Sequence, residues 1–159
     1  MNFVHVQKAA SATVILWIIV AAIFSAAAQS GDEKTAGGIS VYLGVLPAAM
    51  LQGHPTSHTE QAMHSGVPRG RDAYHVMAAV FDAANAKRIE NARIEARVSP
   101  IGLAGVTRTL EPMQIAGTVT YGNYFTIQPN ESYRILISIA RDGETKPLTL
   151  EFSHEHRTR

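Results

Sequence analysis

The chain has no cysteine among its 159 residues. This absence excludes disulfide scaffolds, thiol catalysis, iron–sulfur clusters, c-type haem and cysteine-based zinc sites. Charge is also scarce: 17% of the residues are charged and the formal net charge is +1, which argues against a disordered chain and against nucleic acid as a partner. The seven histidines and five methionines are therefore the borderline and soft metal ligands that the sequence offers.

A long uncharged run lies close to the N-terminus. Residues 9–28 are apolar or small, and the three alanines before Gln29 fit the small-residue site of a signal peptidase. We interpret residues 1–28 as a cleaved secretory signal. A run of about 20 residues is also long enough to cross a bilayer, so an uncleaved membrane anchor is the alternative. Either interpretation places the rest of the chain outside the cytoplasm.

Apolar and polar residues alternate along much of the remaining chain. Residues 29–38 lack apolar side chains to bury and are predicted to be a disordered polar linker, whereas residues 39–159 are predicted to form one domain. Segments with period-two alternation, separated by turn signals and without a convincing helix, indicate an all-β antiparallel sandwich. Its predicted core contains Tyr74, Val76, Val80, Ile94, Val98, Ile135, Ile137 and Ile139.

Other parts of the domain give weaker signals. Short strands are predicted at Val106–Leu110, Tyr124–Ile127 and Leu148–Phe152, and Leu110-Glu111-Pro112-Met113 is interpreted as a break between the first two. Residues 47–71 contain glycine and proline at intervals that fit no regular period. They predict a long, partly irregular surface loop, which is more often functional than a plain connector.

Motifs of catalysis are absent from the sequence. There is no G-x-S-x-G nucleophile elbow, phosphate-binding loop, H-E-x-x-H zinc motif or dinucleotide fingerprint. The carboxylates are scattered among cationic residues, as is usual on a solvent-exposed surface. We therefore expect a protein that is not an enzyme.

Histidine and methionine give the stronger chemical signal. His75 and Met77 are two residues apart on a predicted strand, so they share a face of the sheet. Met113 lies in the predicted break, and His64 belongs to the long loop. Imidazole and thioether donors together favour copper, particularly Cu(I). Each residue also has an ordinary role, because methionine commonly packs in a core and histidine commonly forms structural hydrogen bonds.

Three short blocks resemble, in their order and spacing, the bacterial periplasmic high-affinity iron-transport proteins, which bind copper. The blocks are Ile39–Leu43 followed by a proline and a methionine, Gly66-Val67-Pro68 leading to Asp72–His75, and Met113 followed by Thr120-Tyr121-Gly122. This resemblance covers most of the chain after residue 38. It implies an immunoglobulin-like β-sandwich, a periplasmic location, a homodimer, and a membrane iron or metal permease as partner.

The resemblance also implies a metal centre. His75 falls on a copper-ligand histidine of the family, and Met113 falls on its methionine ligand. Met77 stands where the family has an acidic residue near the metal, and Thr120 stands where it has a second histidine. A further family histidine, in a long loop after the penultimate strand, has no counterpart here. Replacement of an acidic group by Met77 would exchange a hard ligand for a soft one and so favour Cu(I).

We therefore expect a protein that binds copper, or less favourably iron, in metal uptake or handling. The expected metal ligands are His75, Met113, Met77 and His64, with His154 or His156 near the C-terminus as the alternative to His64. The competing hypothesis is a metal-free β-sandwich that serves as an interaction or structural module of the cell envelope. The two differ in geometry, because a shared ion requires the side chains of His75 and Met113 to approach within about 5 Å.

Overall fold

The structure is a computed structural model that describes residues 32–52 and 66–157. The proposed signal and His64 lie outside the described residues. Eight antiparallel strands make up the fold: β1 (Glu33–Ala36), β2 (Ile39–Pro47), β3 (Ala73–Asp82), β4 (Arg93–Pro100), β5 (Val106–Ile115), β6 (Thr118–Thr126), β7 (Glu131–Ala140) and β8 (Leu148–His156). The all-β antiparallel sandwich predicted from the sequence is confirmed. Over the described ranges, no helix has the length and apolar character needed to cross a membrane.

The strands are hydrogen-bonded in the order β1-β2-β3-β6-β5-β4-β7-β8. Strand β5 belongs to two sheets, because Val106–Leu110 pairs with β4 and Glu111–Ile115 pairs with β6. The first sheet thus contains β1, β2, β3, β6 and the second half of β5, and the second contains the first half of β5 with β4, β7 and β8. A strand that changes sheet makes a corner of the sandwich. At the opposite side β1 contacts β8, so the sheet is nearly closed.

The interpretation of Leu110–Met113 as a break between strands was wrong. Strand β5 runs through Pro112, because its second half is the edge of the first sheet, where a missing N–H removes no ladder hydrogen bond. The predicted strand Tyr124–Ile127 was also too short, since β6 begins at Thr118. A tight turn joins β5 to β6, with Ala116 and Gly117 at φ angles of 49° and 76°.

The prediction of a disordered linker over residues 29–38 fails at Glu33–Ala36, which pairs with β2 as strand β1. Gly37 and Gly38 form the turn between them, with φ angles of 54° and 75°. Two consecutive positive φ angles are typical of a two-residue hairpin turn, and glycine adopts them without steric cost. Backbone pairing needs no apolar side chain, so the polar composition did not prevent a strand. The folded domain therefore begins before residue 39.

The space between the two sheets contains the hydrophobic core. All eight predicted core residues are buried there, and none of them is more than 7% exposed. Tyr121 is also buried in this core, and its hydroxyl group donates a hydrogen bond to the Ile89 carbonyl and accepts one from the Ala92 amide. These bonds hold the connection between β3 and β4 against the end of the sandwich.

We predict that Ile94→Ala lowers the free energy of unfolding by about 2–5 kcal/mol, because it leaves a cavity at a fully buried position. The matched control is Arg97→Ala on the same strand, whose side chain is exposed and should change stability by about 0.5 kcal/mol or less. Denaturant unfolding followed by far-ultraviolet circular dichroism measures both. Equal losses for the two variants would contradict the assignment of faces on β4.

Candidate metal centre

Strand β3 presents two different faces to its surroundings. Tyr74 and Val76 point into the core, whereas His75 lies between them on the outer face. His75 is nevertheless fully buried. The ring of Tyr124, on the neighbouring strand β6, lies against it with a centroid distance of 4.7 Å and an interplanar angle of 30°. An outer face that buries an imidazole is unusual for a sandwich, whose outer faces are normally polar and solvated.

A small apolar cluster covers this part of the outer face. A 3-10 turn at Ala48–Leu51 follows β2, and its buried residues Ala48 and Leu51 pack with Tyr124. Val67 and Ala73 are partly buried against the same cluster. The ends of the loop predicted at residues 47–71 therefore contribute to the covering of the outer face.

Gly122 on β6 leaves a gap at the centre of this face. The strand register places Met77 of β3 opposite Gly122 on one side and Glu111 of β5 on the other. A Cβ atom added to Gly122 would lie 2.6 Å from Nε2 of His75 and 2.6 Å from Cε of Met113. These two atoms are thus at most about 5.2 Å apart, twice that distance. The structure therefore brings His75 and Met113 together over a missing side chain.

Met113 reaches this position because β5 has joined the first sheet. It is only 1% exposed and lies opposite Thr120 of β6. Asn123 supports the arrangement where the two strands diverge, since its Nδ2 donates a 2.7 Å hydrogen bond to the Thr109 carbonyl of β5. Thr120, in the place where the resemblance expects a histidine, is buried beside Met113, but its hydroxyl group is a poor ligand for soft metals.

Met77 shares the outer face with His75 but turns to the other side. Its Cε atom lies 3.2 Å from the position that a Cβ on Gly44 of β2 would take. Because β2 and β6 flank β3 on opposite sides, the methyl group of Met77 is directed away from Gly122. The side chain is partly exposed, so it has room to adopt other rotamers.

The two C-terminal histidines do not belong to this site. His156 lies against Tyr74, whose hydroxyl group is 3.1 Å from ring nitrogens of the histidine. Tyr74 points to the inner face of the first sheet, whereas His75 points to the outer face. His154 shares the face of His156 on β8. The first sheet therefore lies between these two histidines and the side chain of His75. The alternative of a C-terminal histidine as the fourth ligand is therefore corrected.

Sequence reasoning missed Glu111 and the role of Gly122. Glu111 is two residues before Met113 and shares its face, but the interpretation of Leu110–Met113 as a break hid that relation. Its exposed side chain begins opposite Gly122, on the same outer face as Met113. Within residues 32–52 and 66–157, no three His, Cys, Asp or Glu side chains are grouped to hold a metal ion. One imidazole and one thioether, which suit copper better than hard ions, are the donors brought together.

Comparison with known proteins supports the fold. No protein-family model matches the chain, and no curated protein matches it either. Among solved structures, FetP from uropathogenic Escherichia coli has a TM-score of 0.61 at 14% identity and covers 80% of this chain and 94% of its own. The copper-reconstituted P19 protein of Campylobacter jejuni has a TM-score of 0.54 at 17% identity, with coverages of 79% and 93%. FetP has also been crystallised as a copper-bound variant, which matches this chain with a TM-score of 0.58.

A third similar structure comes from another protein family. It is a DUF4426 family protein from Pseudomonas aeruginosa, with a TM-score of 0.58 at 19% identity and coverages of 80% and 94%. At identities this low, all of these likenesses establish a shared fold. The resemblance in the sequence blocks and the likeness in three dimensions therefore agree on the architecture.

We predict that Gly122→Ala disturbs the candidate centre from inside. The new Cβ would lie within 3.0 Å of His75 and of Met113, so both side chains must shift, and such overpacking costs about 1–3 kcal/mol of stability. The control is Gly44→Ala, whose Cβ meets the flexible end of Met77 at 3.2 Å and should cost less. Thermal unfolding and the ring-proton chemical shifts of His75 measure the effect. Unchanged shifts in Gly122→Ala would contradict the described convergence.

Proposed function

We propose that the protein is a non-enzymatic copper-binding protein of the periplasm that works in metal uptake or handling. The convergence of Nε2 of His75 and Cε of Met113 over Gly122 carries this proposal. Similarity in fold to copper-bound FetP and copper-reconstituted P19 supports it.

The donor set favours Cu(I) over the harder ions. An imidazole nitrogen and a thioether sulfur are borderline and soft donors, and a thioether adds little to the binding of Mg²⁺ or Ca²⁺. The tilted ring of Tyr124 lies against the His75 ring and restricts its orientation, and Ala48 and Leu51 pack in turn with Tyr124. Rotation of Met77 away from Gly44 would supply a second thioether to the same ion.

The carboxylate of Glu111 extends the range of ions that the site accepts. A carboxylate is a hard, anionic donor, which Cu(II) and iron accept more readily than Cu(I) does. Its register opposite Gly122 places it across the gap from Met77. In this proposal Glu111 takes over the part of the acidic residue that Met77 replaces, and this position is the specific support for iron as a second cargo.

The remaining parts of the proposal concern the cellular setting. The apolar run at residues 9–28 supports export from the cytoplasm, either with cleavage or with retention at the inner membrane. The resemblance to the periplasmic iron-transport proteins supports a membrane iron or metal permease as partner and a homodimer as the assembly. His64, which lies between β2 and β3 in the sequence, is proposed as a further ligand.

We expect His75→Ala and Met113→Leu each to weaken Cu(I) binding by at least about tenfold, since disturbance of a metal's ligand environment commonly costs that much. Met113→Leu preserves the apolar volume and removes the sulfur. Anaerobic Cu(I) titration against a competing chelator measures the affinity. The matched controls are His156→Ala, on the other side of the sheet, and Met50→Leu, whose methionine is 62% exposed.

If both His75→Ala and Met113→Leu keep the parental Cu(I) affinity, the proposed function is contradicted. The metal-free interaction module would then be the better hypothesis. Circular dichroism of each metal-free variant distinguishes the loss of a ligand from the loss of the fold.

Cu(I) affinity should also fall as the pH drops below about 6.5, where an ordinary imidazole becomes protonated. A protonated imidazole has no free lone pair, so protons compete with the metal at acidic pH. Titrations at pH 7.5, 6.5 and 5.5 check this, with His75→Ala as the control that should lose most of the dependence. An affinity independent of pH over this range would argue that no histidine binds the ion.

A further inference from the structure

His154 and His156 are partly buried near the end of strand β8. His154 and His156 pair with Tyr133 and Glu131 of β7, and Tyr133 is a core residue. Residues directly opposite in an antiparallel pair point to the same face of the sheet. Both imidazoles therefore face the interior at one open end, on the side of the first sheet that His75 does not face.

Tyr74 fixes one of the two rings. Its hydroxyl group is 3.1 Å from Nδ1 and from Nε2 of His156, and the two rings meet at an angle of 70° with a centroid distance of 4.9 Å. An aromatic hydroxyl that bonds a histidine ring orients the ring, as the hydrogen-bonding partners of metal-bound histidines do. The His156 ring is therefore held before any ligand arrives.

The second ring presents a nitrogen that lacks a protein partner. Nε2 of His154 is buried and has no hydrogen bond within the part of the chain that the structure describes. An unsatisfied buried polar atom costs free energy, which a ligand would recover.

We propose that His154 and His156 form a second metal site, distinct from the one at His75, for a borderline divalent cation such as Zn²⁺. Alternate residues of a strand have Cα atoms about 6.7 Å apart, so their rings can meet on one ion at Zn–N distances of about 2.0–2.1 Å. Both ligands are imidazole nitrogens, which suit Zn²⁺, and the thioether that favours Cu(I) at the first site is absent here. Two imidazoles come from the protein, and water completes the tetrahedral coordination of the cation.

The test is titration of the untagged full chain with ZnCl₂ at pH 7.5 by isothermal calorimetry. We expect His154→Ala and His156→Ala each to weaken Zn²⁺ binding by at least about tenfold, and Tyr74→Phe to weaken it by up to about tenfold through loss of ring orientation. Glu155→Gln, an exposed residue between the two histidines, should leave binding unchanged. His75→Ala should also retain the parental Zn²⁺ affinity, which separates this site from the proposed copper centre.

One further variant, and the His156→Ala variant already named, complete the test. The triple variant His54→Ala, His58→Ala and His64→Ala should keep the parental Zn²⁺ affinity. Loss of binding in this variant would overturn the proposal and would indicate that these three histidines bind the ion. His156→Ala decides the case if His154→Ala fails to fold, as judged by circular dichroism. Parental affinity in His156→Ala, or an absence of Zn²⁺ binding by the parent, would also overturn the proposal.

Discussion

The arrangement on the outer face depends on the missing side chain at Gly122. A central strand normally carries side chains on both faces, and neighbouring side chains on one face are about 4.5–5.5 Å apart, which leaves no room for others to lie over the backbone. At this position the imidazole of His75 and the methyl group of Met113 occupy the space that a Cβ would take. His75 and Met113 can therefore pack against each other because no side chain covers the β6 backbone at Gly122. Tyr124 then lies against His75, and the turn after β2 packs with Tyr124.

The change of partner along β5 supplies the second donor. The first half of this strand completes the second sheet, and its second half carries Glu111 and Met113 to the edge of the first. A proline at this point is compatible with an edge and would be costly in a central strand. One segment therefore closes a corner of the sandwich and also brings a thioether and a carboxylate beside β6. Stability of that corner and geometry of the candidate centre are consequently linked.

Period-two alternation was sufficient to predict the core, because burial of one face leaves a regular apolar pattern, as at Ile135, Ile137 and Ile139. It failed for β6, which is buried on both faces and carries Thr, Gly and Asn in place of an alternating pattern. The pair His75 and Met113 was predicted from donor chemistry and from a resemblance. Glu111 was missed, since its place depends on register across strands, which a single sequence does not reveal. The inward direction of His154 and His156 was hidden for the same reason.

The contact between β1 and β8 bears on how the protein meets other chains. These are the two terminal strands of the sheet, and each lies against the other. Lys34 of β1 places its ammonium group over the ring of Phe152 on β8, with the nitrogen 5.6 Å from the ring centroid. A charged lysine and a facing strand are both features that discourage pairing by a foreign strand. In a chain without disulfides, this seam therefore acts as protection against edge-to-edge aggregation.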